Sequence, residues 1–266
     1  MKTLTSRDGT TIAYETTGAG PAVILVDGAL CFRAQGPARP LASELAAHFT
    51  VYLYDRRGRG ESTDTLPSSV DREIEDLEAL VSATGEKPFL YGISSGAALA
   101  LEAVNRGLTV SKLFLYEAPF IVDGTKAPLG EDYLPQLRAR VAADRRGAAV
   151  SMFLKSVGMP GFLIPLMALT PTWKALKAVA PTLPYDIAVV TEFQQGRPLP
   201  ADRWTKVKVP TQVAVGGKSP PWMKNAMAAL AGLFPAFPLR IIDGQTHMLN
   251  PEAAAPHLIR FFQEGL

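Results

Sequence analysis

Pro88-Phe89-Leu90-Tyr91-Gly92-Ile93-Ser94-Ser95-Gly96-Ala97-Ala98-Leu99-Ala100-Leu101-Glu102-Ala103-Val104 is the stretch that decides the fold. Its apolar opening reads as a buried strand, and the alanine- and leucine-rich run from Gly96 onward reads as a helix. Between them stands a G-x-S-x-G match, Gly92 to Gly96. A serine on so sharp a strand-to-helix turn has a strained backbone. Its side chain is thrown clear of the sheet, and the next N–H opens the helix. The letters alone are a weak signal, since a chain of this length meets them by accident roughly one time in ten at ordinary Gly and Ser usage. The strand before and the helix after make Ser94 a candidate nucleophile.

Outward from this turn, short apolar strands alternate with helical stretches, which predicts an α/β fold with a mostly parallel sheet covered on both faces. Lys2 to Ser6 and Thr10 to Glu15 read as a hairpin around Asp8-Gly9. Strands are expected at Ala22 to Val26, Thr50 to Tyr54, Pro88 to Tyr91, Leu113 to Tyr116, Thr211 to Val215 and Leu239 to Ile242. Helices are expected at Leu41 to His48, Arg72 to Thr84 and Pro251 to Phe262. From Ile121 to Trp204 no strand alternation is visible. The stretch is rich in Pro, Met and Leu, with helical pieces at Tyr133 to Ala143, Ala148 to Val157 and Thr172 to Val179. The expected organisation is a core of residues 1–120 and 206–266 interrupted by a helical lid of residues 121–205.

Composition excludes several function classes. In 266 residues, 47% hydrophobic and 20% charged, a sizeable core can be buried. The 27 basic and 25 acidic residues leave a net charge of +2, and no Lys/Arg run exceeds two residues, so no nucleic-acid partner is expected. Cys31 is the only cysteine, which rules out an internal disulfide. With three scattered histidines there is no ligand cluster for zinc, and neither a metal nor another cofactor is expected. No apolar run approaches a membrane span and the first residues lack an apolar leader core, so a soluble cytoplasmic protein with no membrane partner is expected.

Four segments in this order resemble the α/β-hydrolase fold superfamily: Val23-Ile24-Leu25-Val26-Asp27-Gly28-Ala29, Asp55-Arg56-Arg57-Gly58-Arg59-Gly60-Glu61-Ser62, the serine turn, and Gly244-Gln245-Thr246-His247. Within it the chain is similar to the lid-bearing esterases, haloperoxidases and C–C hydrolases. Epoxide hydrolases and haloalkane dehalogenases place Asp where Ser94 stands. The resemblance implies His247, between the last strand and last helix, as the base that activates Ser94. His48 and His257 sit on helices and read as structural or solvated.

The orienting acid departs from the commonest family position. The loop there reads Gly216-Gly217-Lys218-Ser219-Pro220-Pro221-Trp222, with Ser219 in the acid's place and no carboxylate between Gln212 and Leu239. Some members carry the acid at the end of the strand after the elbow helix. Here that is Glu117, with Asp123 as the alternative; Asp243 is too near His247 in sequence to reach its far nitrogen. The resemblance also implies oxyanion donors from the N–H groups of Ala29 and Ser95. Asp27 replaces the usual His, either as a structural substitute or as a second acid that alters the chemistry. The run Arg56-Arg57-Gly58-Arg59-Gly60 reads as a structural turn, since it fits no phosphate-loop pattern. Cys31 reads as a small apolar filler.

The lid's apolar residues predict a small to medium apolar or aromatic acyl substrate. Asp27, Met159, Phe162, Trp173, Trp222 and Met248 are the candidate substrate-binding residues. The expected function is a serine hydrolase acting on an ester, lactone or thioester. The alternatives are a C–C bond hydrolase or tailoring enzyme with the same triad, and a non-catalytic ligand-binding protein on the same scaffold.

Overall fold

A computed structural model describes residues 1–264. Eight strands form one sheet: β1 (Lys2–Thr5), β2 (Thr11–Thr17), β3 (Ala22–Val26), β4 (Thr50–Tyr54), β5 (Phe89–Ile93), β6 (Lys112–Tyr116), β7 (Thr211–Gly216) and β8 (Arg240–Ile242). Their spatial order is β1-β2-β4-β3-β5-β6-β7-β8. The pairs β1–β2 and β2–β4 are antiparallel; all the others are parallel. The helices of the first half are α1 (Ala38–Leu45), α2 (Val70–Thr84) and α3 (Ser95–Asn105). Between β6 and β7 lie α4 (Tyr133–Ala142), α5 (Arg146–Ser156), α6 (Leu163–Met167), α7 (Pro171–Val179) and α8 (Leu183–Val190). The core closes with α9 (Pro221–Gly232) and α10 (Pro251–Gln263).

The continuous apolar runs of β3 and β5 are buried along their whole length, as a parallel sheet covered on both faces requires. Successive side chains alternate between two separate cores. Ile24, Val26 and Leu90 pack with α2, α3 and α9, whereas Val23, Leu25, Phe89, Tyr91 and Ile93 pack with α1 and α10. The loop after β3 leads to α1 on one face and the loop after β5 leads to α3 on the other. That divergence opens a crevice at the carboxyl ends of adjacent strands, the usual ligand position in open α/β sheets. The register Val26↔Gly92, Ile93↔Tyr116 and Tyr116↔Ala214 delivers Gly28, Ser94, Glu117 and Gly216 to this one edge.

Several elements differ from the sequence expectation, α6 and α9 among them, which have no counterpart there. The first helix runs Ala38–Leu45 rather than Leu41 to His48, because Pro40 lies in its first turn, where no backbone N–H is needed. The helix α8 has no counterpart in the expectation: Leu183, Pro184, Ile187, Val189 and Val190 are buried around it, so it shows no amphipathic period to read. The helices between β6 and β7 enclose a third apolar cluster containing Leu137, Val150, Leu176 and Leu183. Leu30, from the loop after β3, belongs to it.

Both glycines of the serine turn are required by space. A Cβ on Gly96 would come within 2.3 Å of the Val26 carbonyl oxygen and 2.6 Å of that of Asp27. One on Gly92 would stand 2.6 Å from the Gly96 carbonyl oxygen and 2.7 Å from the Ala97 Cα. The helix therefore rests directly on the β3 backbone. Asp27, just past β3, is 6% exposed. Its carboxylate lies against Gly36 and Cys31 and faces the Ala38 amide at the start of α1. Burial pushes its pKa up to about 7, outweighing Arg59, Arg56 and the Ala38 amide.

Gly96→Ala is expected to lower stability by about 3 kcal/mol in denaturant titration, since neither clashing atom belongs to a side chain that can turn away. For Asp27 the folded chain keeps a proton that the unfolded chain loses near pH 3.8. Stability therefore falls as pH rises toward 7, and the cost is complete above that. Asp27→Asn is expected to leave the melting temperature unchanged below pH 4. It should raise stability by a few kcal/mol, roughly 2–4, at pH 8.

Candidate active site

Ser94 has φ 59° and ψ −131°, between the end of β5 and the first residue of α3. Among the described residues, four non-glycines have positive φ: Leu30, Ser94, Glu117 and Asp144. Three of these line one edge of the sheet. Each such conformation costs about 1–3 kcal/mol and persists only where its surroundings enforce it. At Ser94 the enforcement comes from the Gly96 contact and from the Ser94 N–H, which donates to the Tyr116 carbonyl oxygen at 2.9 Å.

Glu117 is fully buried, immediately after β6. One carboxylate oxygen accepts from the Gly216 N–H at 2.8 Å and from the Ser219 hydroxyl. The other lies 2.8 Å from His247 Nδ1. Burial pushes the carboxyl pKa up, but the bonds from His247, Ser219 and the Gly216 amide outweigh it and hold the group below its usual range. Glu117 is thus an ionised hydrogen-bond acceptor for the imidazole at neutral pH. The contact with Ser219 accounts for the missing carboxylate in the loop after β7: the residue at that position donates a hydrogen bond to the acid instead of being the acid.

His247 follows β8 and is partly exposed. Its loop is fixed by the Tyr116 hydroxyl, which donates to the Thr246 carbonyl oxygen at 2.7 Å, and by the Lys218 N–H, which donates to that of Gln245 at 2.8 Å. No hydrogen bond joins the Ser94 hydroxyl to His247 in this structure. Such contacts commonly tighten only when substrate binds. Asp123 lies elsewhere, accepting hydrogen bonds from Thr125 and from Asn225 Nδ2 at 2.7 Å. His48 is exposed and His257 sits on α10.

Gly28 brings the loop after β3 against the nucleophile: a Cβ there would stand 2.8 Å from the Ser94 Cβ and 3.3 Å from its Oγ. Ala29 follows directly, and its N–H donates no hydrogen bond among the described residues. Ser95 opens α3, so its N–H has no helical acceptor. Two unpaired amides therefore flank Ser94. The Cys31 thiol, raised to about 12 by burial and by Asp27, stays protonated.

The arginine run has an entirely buried structural role. Arg57 pairs with Asp76 at 2.7 Å and Asp8 at 2.9 Å. Arg56 and Arg59 both reach Asp186 on α8, at 2.6 and 2.7 Å, and Asp186 is 1% exposed. Asp186 also accepts from the Ser95 hydroxyl at 2.7 Å. Sequence inspection missed Asp186. The available signal was a lone acid inside an apolar helical run.

The other candidate binding residues are dispersed. Phe162 and Met248 are 73% and 85% exposed. Trp173 lines an outward groove of about 560 Å³ with Arg145, Arg146, Lys174 and Lys177, apart from Ser94, Glu117 and His247. Trp222 packs on the larger core, with the Lys126 ammonium 3.9 Å from its ring centre. Met159, half-buried, joins the cap cluster that holds Leu30. Asp27 serves the start of α1. Among the described residues no His, Cys, Asp and Glu group could hold a metal ion, and no helix is long and apolar enough to cross a membrane.

Comparison with known proteins agrees with this architecture. An α/β hydrolase from Sphaerobacter thermophilus DSM 20745 is 44% identical, with a TM-score of 0.90 over 98% of this chain and 100% of that one. A thermophilic esterase from Thermogutta terrifontis shares the fold at 23% identity, with a TM-score of 0.66 over 99% of this chain and 96% of that one. The uncharacterized hydrolase YraK of Bacillus subtilis (strain 168) is 27% identical over 140 residues, 49% of this chain and 50% of that protein. The chain thus aligns with about half the length of that curated relative. The pattern of the family described as "Alpha/beta hydrolase family" matches residues 18–257, leaving only the first hairpin and part of the last helix outside it. The chain belongs to the alpha/beta hydrolase family.

Proposed function

We propose that this hydrolase-family chain is a serine hydrolase that cleaves a small to medium apolar or aromatic ester, lactone or thioester through an acyl-enzyme. The observation that carries the proposal is the bond between buried, ionised Glu117 and His247 Nδ1, beside a serine held in an elbow. In this mechanism Ser94 Oγ attacks the carbonyl carbon while His247 Nε2 takes its proton. Glu117 keeps Nδ1 protonated and stabilises the imidazolium. The tetrahedral oxyanion faces the Ala29 and Ser95 N–H groups, each worth about 3 kcal/mol in the transition state. His247 then protonates the leaving group, and water, activated by the same imidazole, releases the acid.

The apolar preference has support from the cap. Half-buried Met152, Phe153 and Met159 share a cluster with Ala29 and Leu30, so one side of the loop after β3 adjoins methionine and aromatic surface.

The wild-type chain is expected to hydrolyse p-nitrophenyl esters, and Ser94→Ala to abolish turnover. Absence of turnover by the wild type across a series of acyl lengths would reject the ester assignment. Glu117→Gln should reduce kcat by about 10³–10⁴, while Asp123→Asn leaves it unchanged. Moving the acid tests the geometry further: adding Ser219→Asp to Glu117→Ala should recover at least about tenfold of the lost kcat. No recovery would mean that His247 cannot be oriented from the loop after β7.

A further inference from the structure

Both amides that flank Ser94 are tied to one buried carboxylate in the cap. On one side, the Ser95 hydroxyl donates to Asp186 Oδ1 at 2.7 Å, anchoring the residue whose N–H faces the site. On the other, Arg59 Nη2 donates to Asp186 Oδ2 at 2.7 Å while its Nη1 donates to the Gly28 carbonyl oxygen at 2.7 Å and to that of Cys31 at 3.2 Å. The Gly28 carbonyl and the Ala29 N–H belong to the same planar trans peptide and point to opposite edges of it. A guanidinium gripping that oxygen therefore sets the direction of the Ala29 N–H. It also withdraws electron density from the peptide, making that N–H a stronger donor. Arg56 extends the same hold: Nη1 donates to Asp186 Oδ1 at 2.6 Å and to the Asp27 carbonyl oxygen at 3.2 Å.

Nothing in this cluster is positioned by solvent. Arg56, Arg59 and Asp186 are each at most 2% exposed. Arg59 Nε is further fixed on the Thr182 hydroxyl at 3.0 Å, just before α8. The loop is gripped from the apolar side as well: Leu30, with φ 62°, inserts its side chain into the cap cluster beside Leu183. A cap that needed only to stay docked could have used apolar contacts alone. A buried ion cluster costs desolvation, and its value lies in directional bonds to chosen atoms. Here the chosen atoms are a peptide oxygen and a hydroxyl adjoining the two free amides.

We propose that Asp186, acting through Arg59 and the Ser95 hydroxyl, is the positioning residue that aims both oxyanion N–H groups, so that the cap forms part of the oxyanion hole. It touches no reacting atom itself. The proposal rests on the serine chemistry given above, and the test separates the two. The decisive variants are Ser95→Ala, which removes the hydroxyl but keeps the N–H and both ion pairs, and Arg59→Lys, which keeps the charge but cannot bridge Asp186 and Gly28.

The readouts are kcat and KM on a p-nitrophenyl ester, thermal unfolding, and inhibition by phenylboronic acid. On binding, Ser94 Oγ adds to boron, its proton passes to His247, and the tetrahedral boronate places an oxygen before the two amides. Each variant is expected to lower kcat about tenfold and weaken boronate inhibition by a similar factor, with KM within about twofold of wild type. If both variants turn over and bind boronate like wild type, with only a lower melting temperature, Asp186 merely fastens the cap and the proposal is overturned. Should Arg59→Lys fail to fold, Ser95→Ala decides alone. A wild-type chain that neither hydrolyses esters nor binds boronate would refute the serine chemistry, and the positioning role with it.

Discussion

The direct seating of α3 on the backbone of β3 is the constraint on which the site depends. Because Gly96 presents no Cβ to the Val26 and Asp27 carbonyl oxygens, the helix can begin immediately after the strand ends. That abruptness forces Ser94 to positive φ and leaves the Ser95 N–H at a helix start. It also brings Gly28 into contact with the serine side chain. A single added methyl group at Gly96 would lift the helix and separate Ser94 from the loop after β3 at once. The strained serine is therefore a product of packing between two rigid elements.

Electrostatics arranges what packing assembles. Burial alone would push the Glu117 carboxyl up, and three hydrogen-bond donors reverse that and hold it below its usual range. Ser219 is one of them. A carboxylate at Ser219 alongside Glu117 would set two like charges in one buried place and raise a pKa where ionisation is needed. At these two positions stand one acid, Glu117, and one hydroxyl, Ser219, and each suits the other. Asp27 shows the opposite balance: burial outweighs its arginine neighbours and the Ala38 amide, and the group tends to neutrality.

The helical segment between β6 and β7 is bonded into the loop after β3. Its apolar cluster takes in Leu30 and its buried Asp186 takes in Arg56, Arg59 and Ser95, so the two form one packed unit at α8. Removing Asp186 would leave Arg59 buried without a carboxylate partner, whereas Arg56 would keep Glu73.

The parallel sheet, the elbow and the pairing of Ser94 with His247 and Glu117 as candidates were legible in the chain, because each leaves a local mark. Buried strands are short continuous apolar runs, the elbow needs small residues on both sides of Ser94, and an acid directly after an apolar strand demands a partner. Glu117 came from the family resemblance, as the acid position that some members use, since Ser219 stands where the commonest pattern has its carboxylate. Its hydrogen bond from Ser219 joins residues 102 apart in the chain and appears only in three dimensions. Asp186 was invisible for the same reason: its partners Ser95, Arg59 and Arg56 lie 91 or more positions away, and nothing local to α8 distinguishes a clamp from a stray charge. The substrate-lining candidates were least legible, because an apolar residue in a cap reads alike whether it packs inward, as Met159 does, or faces solvent, as Phe162 and Met248 do. Sequence by itself determined which residues could carry chemistry, through short-range pattern. Tertiary structure decided which of them meet, because contact between distant segments depends on how whole elements pack.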